Sequence, residues 1–230
     1  MTVNLFGISL HEFDVAITDL LLFIELIVFA YILHRERLSR TMPGRLITSL
    51  FLALGASSFL GSFFHAFFPL KAETAIGLIV WMFVAVSIGA AAFVMSCIDA
   101  LIFGGRVLLR RSLPAIGLYF LTFGYAILFV DYRFKTIILF YLPPMIMLFF
   151  MSAAKFLREK TYAWLGVSVG VILSFVAAGI QYLQISLHPI YFNYNALYHT
   201  VQGVGMAVIF LSFRTLLRGN LIAGASKHSK

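Results

Sequence analysis

Two histidines pose the first chemical question. His65 lies near the end of one apolar run, three residues after Ser62. His199 lies near the start of another, four residues after Asn195 and three before Gln202. Residues three or four apart share a helix face, so each histidine has a polar neighbour beside it. Gly203 continues the His199 face by one turn and Gly205 follows closely; small residues there let a neighbouring helix approach. Neutral imidazole is the commonest protein metal ligand, so two histidines at one depth on different helices suggest coordination. A hydrogen-bonded packing role is the plainer alternative.

The elements that must hold these groups are membrane spans. The 230 residues are 62% hydrophobic and 11% charged, with a mean hydropathy of +1.00. That is too apolar for a soluble domain. About 20 apolar residues cross a bilayer as a helix. On that rule the sequence predicts an all-α integral membrane protein, a bundle of seven helices at 15–34, 45–69, 74–100, 113–130, 136–154, 161–184 and 192–216. Residues 1–219 form the seven-helix domain, and 220–230 a short basic tail lying disordered at the membrane surface. With no Lys or Arg before Arg35, the first apolar run reads as a retained helix rather than a cleaved signal.

Charge tests the count. With seven spans, three of the 17 basic side chains (Lys71, Arg133, Lys135) fall on the N-terminal side and the other 14 on the opposite side. The positive-inside rule then puts the N-terminus outside and the C-terminus in the cytoplasm. The same rule explains the net charge of +8 without nucleic acid. The Arg35-to-Arg45 cluster is the topology signal, with contact to anionic lipid as a lesser role. The lone cysteine, Cys97, falls inside a span and forms no internal disulfide.

Direction fixes depth. Glu12, Asp14, Thr18 and Asp19 start the first span at the outer face; Ser62 and His65 end the second there. Glu73 and Thr74 start the third, Gln181 ends the sixth, and Asn195, His199 and Gln202 start the seventh. At ~1.5 Å per residue His65 lies roughly 6 Å, and His199 roughly 10 Å, below its helix end. Five helices thus deliver polar groups to one layer, and polar groups inside a bilayer are costly and rarely idle.

These residues resemble a family. Asn-Ala-Leu-Tyr-His-Thr-Val-Gln-Gly-Val-Gly at 195–205, followed by an apolar run and Ser-Phe-Arg-Thr-Leu, resembles the last helix of the alkaline ceramidases. Their pattern there is His-x-x-x-His, Gly-x-Gly, then an apolar run ending in a basic residue. Leu60-Gly61-Ser62-Phe63-Phe64-His65 is similar to the end of their second helix, where Gly-Ser precedes a zinc-binding His. Glu12-Phe13 with Thr18-Asp19-Leu20 resembles their Glu-Phe and Ser-Asn-Leu pattern. The wider group includes the progestin and adiponectin receptors, seven-helix proteins regarded as metal-dependent hydrolases. The N-out orientation is similar to the ceramidase branch. The resemblance implies zinc on three histidines, one on helix 2 and two on helix 7.

This chain departs from that pattern. It has His65 and His199, but Asn195 stands at the remaining position, and Asn is a poor zinc ligand. Ser62 stands three residues before its His where the family's Ser stands four before. The family's Asp near the start of helix 3 has Glu73 as its nearest counterpart. A third ligand therefore comes from Glu73, Asp19 or His188, or the metal has been lost.

Two functions follow. The first is a zinc-dependent hydrolase of a lipid amide or ester in the outer half of the bilayer. His65, His199 and a third group such as Asp19 would hold zinc, which activates water. Glu73 or Asp19 would take its proton. Ser62 or Asn195 would hydrogen-bond the developing oxyanion. The second is a non-catalytic seven-helix protein of the same fold that binds a lipid or a protein partner, with Asn195 marking lost catalysis. Either would sit in a bacterial inner membrane or a eukaryotic endomembrane.

Other classes fit less well. A retinal protein needs a mid-helix lysine that residues 192–216 lack, and the Asp-Arg-Tyr and Asn-Pro-x-x-Tyr receptor signatures are absent. Gly55-Ala56-Ser57-Ser58 reads as helix packing rather than a protease nucleophile. Among the intramembrane acids, Glu25 reads as hydrogen-bonded within the bundle and Asp99 as close enough to the cytoplasmic end to reach water. Trp81 reads as a packing residue and Trp164 as an interface anchor.

Overall fold

The computed structural model describes residues 2–5, 7–68 and 74–222. A short antiparallel hairpin, β1 (Val3–Leu5) and β2 (Ile8–Leu10), precedes six helices. They are α1 (Phe13–Arg35), α2 (Met42–Phe67), α3 (Ala75–Tyr125), α4 (Phe134–Glu159), α5 (Tyr162–Tyr182) and α6 (Tyr194–Arg218). All six are long and apolar enough to cross a membrane. The chain is a multi-pass membrane protein, and its outer surface exposes large apolar side chains, among them Leu21, Phe103, Leu118 and Phe150.

The helix starts follow local chemistry. Thr41 caps α2 by accepting from the Gly44 amide at 3.1 Å, with Pro43 in the first turn. Thr74 caps α3 through the Gly77 amide at 3.1 Å. Asn193 caps α6 by accepting from the Asn195 and Ala196 amides at 2.9 and 3.1 Å.

The 51 residues of α3 would measure about 75 Å if straight, more than twice a bilayer core. They fold back instead. Gly104 and Gly105 leave helical geometry, and Gly105 has a φ of 67°, which suits a residue without Cβ. The two arms then lie side by side. Phe93 meets Phe120 with ring centroids 5.7 Å apart, and Ala85, Phe123 and Ile127 share one apolar cluster. A wide π turn over Ala126–Val130 closes the second arm, with the Asp131 amide donating to the Ala126 carbonyl at 2.8 Å.

The last helix is wedged between α1 and α5 by its two glycines. A Cβ on Gly203 would stand 2.9 Å from the Glu25 carboxylate on α1. A Cβ on Gly205 would stand 3.0 Å from the Gly170 carbonyl on α5, and one on Gly170 would stand 2.8 Å from the Gly205 carbonyl. Such backbone proximity is how helices gain dispersion energy where lipid removes the hydrophobic drive. Toward the end of the bundle away from the hairpin, Phe29 stacks on Phe210 at 4.2 Å, and Phe51 meets both edge-on.

Two expectations need correction. Trp164 is no interface anchor: it is 0% exposed, and its indole donates to Glu159 at 2.9 Å. The loop before α5 is short enough to fold Glu159 onto the ring. Asp99 does not reach water: it is 0% exposed, and neither carboxylate oxygen has a hydrogen-bond partner among the described residues. Just past α6, Ile222 is 3% exposed and the Leu221 amide donates to the Leu216 carbonyl at 3.0 Å. Beyond it, residues 223–230 of the expected tail lie outside the described residues.

Candidate metal centre

The start of α1 supplies acids to both of its neighbours. Glu12 lies at the N-cap of α1, and its Oε2 is 2.5 Å from His65 Nδ1 on α2. Asp14 Oδ2 accepts from the Asn193 amide at the head of α6 at 3.0 Å. Asp19, two turns into the helix, reaches His199 on α6: its Oδ1 stands 3.2 Å from His199 Nδ1.

Asp19, His65 and His199 converge. One ligand atom from each lies within 4.8 Å of the others. Tetrahedral zinc, with bonds of about 2.0–2.2 Å, needs its ligand atoms about 3–4 Å apart, so small side-chain shifts complete the fit. Two further observations favour a shared ion over simple pairing. Asp19 is 4% exposed, a depth at which a carboxylate needs compensation. His199 Nδ1 is buried and, despite its 3.2 Å approach to Asp19, makes no hydrogen bond among the described residues.

The local sequence makes room for this. A Cβ on Gly61 would stand 2.6 Å from Asp19 Oδ2, so the Gly of Gly-Ser-Phe-Phe-His lets the carboxylate lie against α2. Four residues on, His65 leaves the same face of α2.

The three groups stand on the wall of a cavity of about 480 Å³. Asn195, Gln181 and Tyr198 share its polar end, and Leu26, Leu54, Met145 and Met206 line its apolar part. From His199 to Met206 is two turns, so the cavity reaches ~10 Å toward the bundle centre.

The remaining sequence candidates fall as follows. Asn195 is on the cavity wall, where its Oδ1 accepts from Gln181 Nε2 at 3.2 Å, leaving its own N–H groups for a ligand. Ser62 is not on that wall: its hydroxyl donates to the Ala16 carbonyl at 2.7 Å and ties α2 to α1. The altered spacing, three residues rather than four before the His, turns it toward α1. Ser58 and Ser57 line the cavity in its place. His188 is excluded as a ligand because it is exposed and its Nδ1 accepts from the Ile190 and Tyr191 amides, each at 3.2 Å. Glu73 lies outside the described residues.

Some of the wall was not expected. Tyr141 on α4 and Tyr198 on α6 both face the cavity, and Trp81 does so while donating to the Tyr132 carbonyl at 2.7 Å. Tyr198 adjoins His199 in the motif, which was a usable signal. Tyr141 carries none beyond being a polar-tipped ring in an apolar span.

Residues 15–218 match a Family of unknown function (DUF6962). The chain belongs to that family. No curated protein and no solved structure matches this DUF6962 chain.

Proposed function

We propose that this protein is a zinc-dependent membrane hydrolase of the ceramidase-like kind, cleaving a lipid amide or ester. The observation that carries the reading is the convergence of Asp19, His65 and His199 within 4.8 Å on the wall of a largely apolar cavity. We read seven crossings, counting the two arms of α3 separately, with the N-terminus outside. The fold-back at Gly104-Gly105 and the basic-residue asymmetry support both points.

In this reading Asp19 takes the ligand position that Asn195 cannot fill. Zinc on three protein groups supplies a Lewis acid with an open position. The apolar part of the cavity takes the lipid chain, and the polar end keeps room for the water molecule that the cleavage consumes. Asn195, its carbonyl held by Gln181, turns its N–H groups to the scissile carbonyl and stabilises the developing oxyanion. Ser62 takes no part, because its hydroxyl is held by Ala16. Proton transfer is left to a carboxylate outside the metal group, for which Glu73 is the sequence's candidate. The lipid enters sideways from the outer leaflet.

The test is hydrolysis of ceramides and related lipid amides and esters by detergent-purified protein. Release of fatty acid that stops on chelation, returns with zinc and is absent in a His65→Ala/His199→Ala variant supports the reading. Protein that retains such a lipid uncleaved, with zinc supplied, supports the other reading of the same cavity, a lipid-binding protein, which Asn195 in place of a third histidine favours.

A further inference from the structure

The backbone at Glu12 is unusual, and three contacts hold it so. Glu12 adopts φ 42° and ψ 46°, the left-handed region that residues other than Gly rarely enter. Just before it, the His11 amide donates to the Ala66 carbonyl at 2.8 Å, fixing the end of the hairpin to the end of α2. Just after it, the Glu12 carbonyl accepts the first helical bond of α1, from the Ala16 amide at 2.9 Å. The turn between these anchors delivers the Glu12 carboxylate to His65 Nδ1 at 2.5 Å. A glycine would take this conformation without strain, so the presence of Glu points to what its side chain does.

We infer that Glu12 is the positioning residue of the metal centre, holding the His65 ring so that Nδ1 carries the proton and Nε2 is left as the ligand atom. The inference rests on the metal reading above and adds a role for a residue outside the ligand set. Metal-bound histidines commonly give their second N–H to a carboxylate, which fixes the tautomer and the ring's orientation. Asp14 Oδ2 accepts from the Asn193 amide on α6. The strained turn is therefore retained for the ligand geometry, and the helix start itself would be served better by glycine.

The experiment compares zinc affinity, by competition with a chromophoric chelator, in wild type and in Glu12→Gly, Glu12→Ala and Glu12→Gln. It adds the visible spectrum of each cobalt-loaded form and the melting temperature of each metal-free form. Losing the carboxylate is expected to weaken zinc by roughly 10–100-fold and to alter the cobalt bands. Glu12→Gln, whose carbonyl still accepts from Nδ1, should recover much of both. Glu12→Gly should melt no lower than wild type without metal, because it relieves the turn. Glu12→Gly with unchanged zinc affinity and cobalt spectrum would overturn the inference while leaving the metal centre standing. A metal-free Glu12→Gly protein that melts well below wild type would also overturn it, making Glu12 a structural tie. Wild-type protein that binds neither metal would sink the metal reading and this role together.

Discussion

Two ends of the same bundle hold buried or half-buried acids in opposite ways. Where α1 ends, Glu36 accepts from both Arg214 and Arg218 of α6. Arg214 Nε stands 3.1 and 3.0 Å from its two oxygens, and Arg218 Nη2 stands 2.7 Å from one of them. Arg214 Nη2 completes the clasp. The hydrogen bond from Arg214, joined by that from Arg218, holds the Glu36 carboxyl down at about 2. Both oxygens of Glu36 accept from guanidinium groups. Where α1 begins, Asp19 and His199 approach each other without hydrogen-bonding, beside His65 and a cavity. A satisfied pair is a staple. At the other end one imidazole nitrogen, His199 Nδ1, is left beside the cavity without a hydrogen bond among the described residues.

The comparison can be broken first at its sharper end. Asp19→Ala removes the carboxylate of the proposed ligand set, and zinc binding should fall by 100-fold or more, since two imidazoles do not make a closed ligand set. Equilibrium dialysis against buffered zinc checks this. Unchanged affinity would return the third ligand to Glu73.

Gly61→Ala is gentler, because its Cβ would press on Asp19 Oδ2 from 2.6 Å. Zinc affinity should fall roughly tenfold, on the scale of an outer-shell change, with a melting temperature close to wild type. Gly170→Ala is its control away from the metal. There the new Cβ meets the Gly205 carbonyl at 2.8 Å and Ile209 at 2.5 Å. It should cost about 1–3 kcal/mol of stability through overpacking, and leave zinc affinity alone.

The smallest effect belongs to the staple. Because the folded Glu36 carboxyl lies at about 2 and its ordinary value is 4.5, its contribution is complete above about 4.5. It is lost as pH falls from there toward 2. The melting temperature of Glu36→Gln should therefore lie slightly below wild type at neutral pH and converge with it in that acid window. Solvent screening at this partly exposed site keeps the difference small. A gap that persists unchanged at pH 2 would show that the charge is not what the staple uses.

Sequence carried the depth of groups along each helix well, and their direction around it poorly. Apolar length placed the helices, and depth alone put Asp19, His65 and His199 in one layer. What depth could not decide was which further group turns inward: Asp19, Glu73 and His188 were all candidates, and among the described residues it is Asp19 that converges with the two histidines. Ser62 shows the same limit, since one residue of spacing turned it from the cavity to the Ala16 carbonyl. Trp164 and Asp99 were misjudged because distance from a helix end was taken as closeness to water. The fold packs α5 and α3 inward at those points, and both side chains end at 0% exposure. The break at Gly104-Gly105 was legible as punctuation, but the side-by-side packing of the two arms came only with the Phe93–Phe120 contact.

The most direct test of the central claim is the metal content of detergent-purified protein by mass spectrometry, beside the Asp19→Ala/His65→Ala/His199→Ala variant. The account predicts close to one zinc per chain in the wild type and none in the variant. Equal metal in both, or none in the wild type after incubation with zinc, would contradict it.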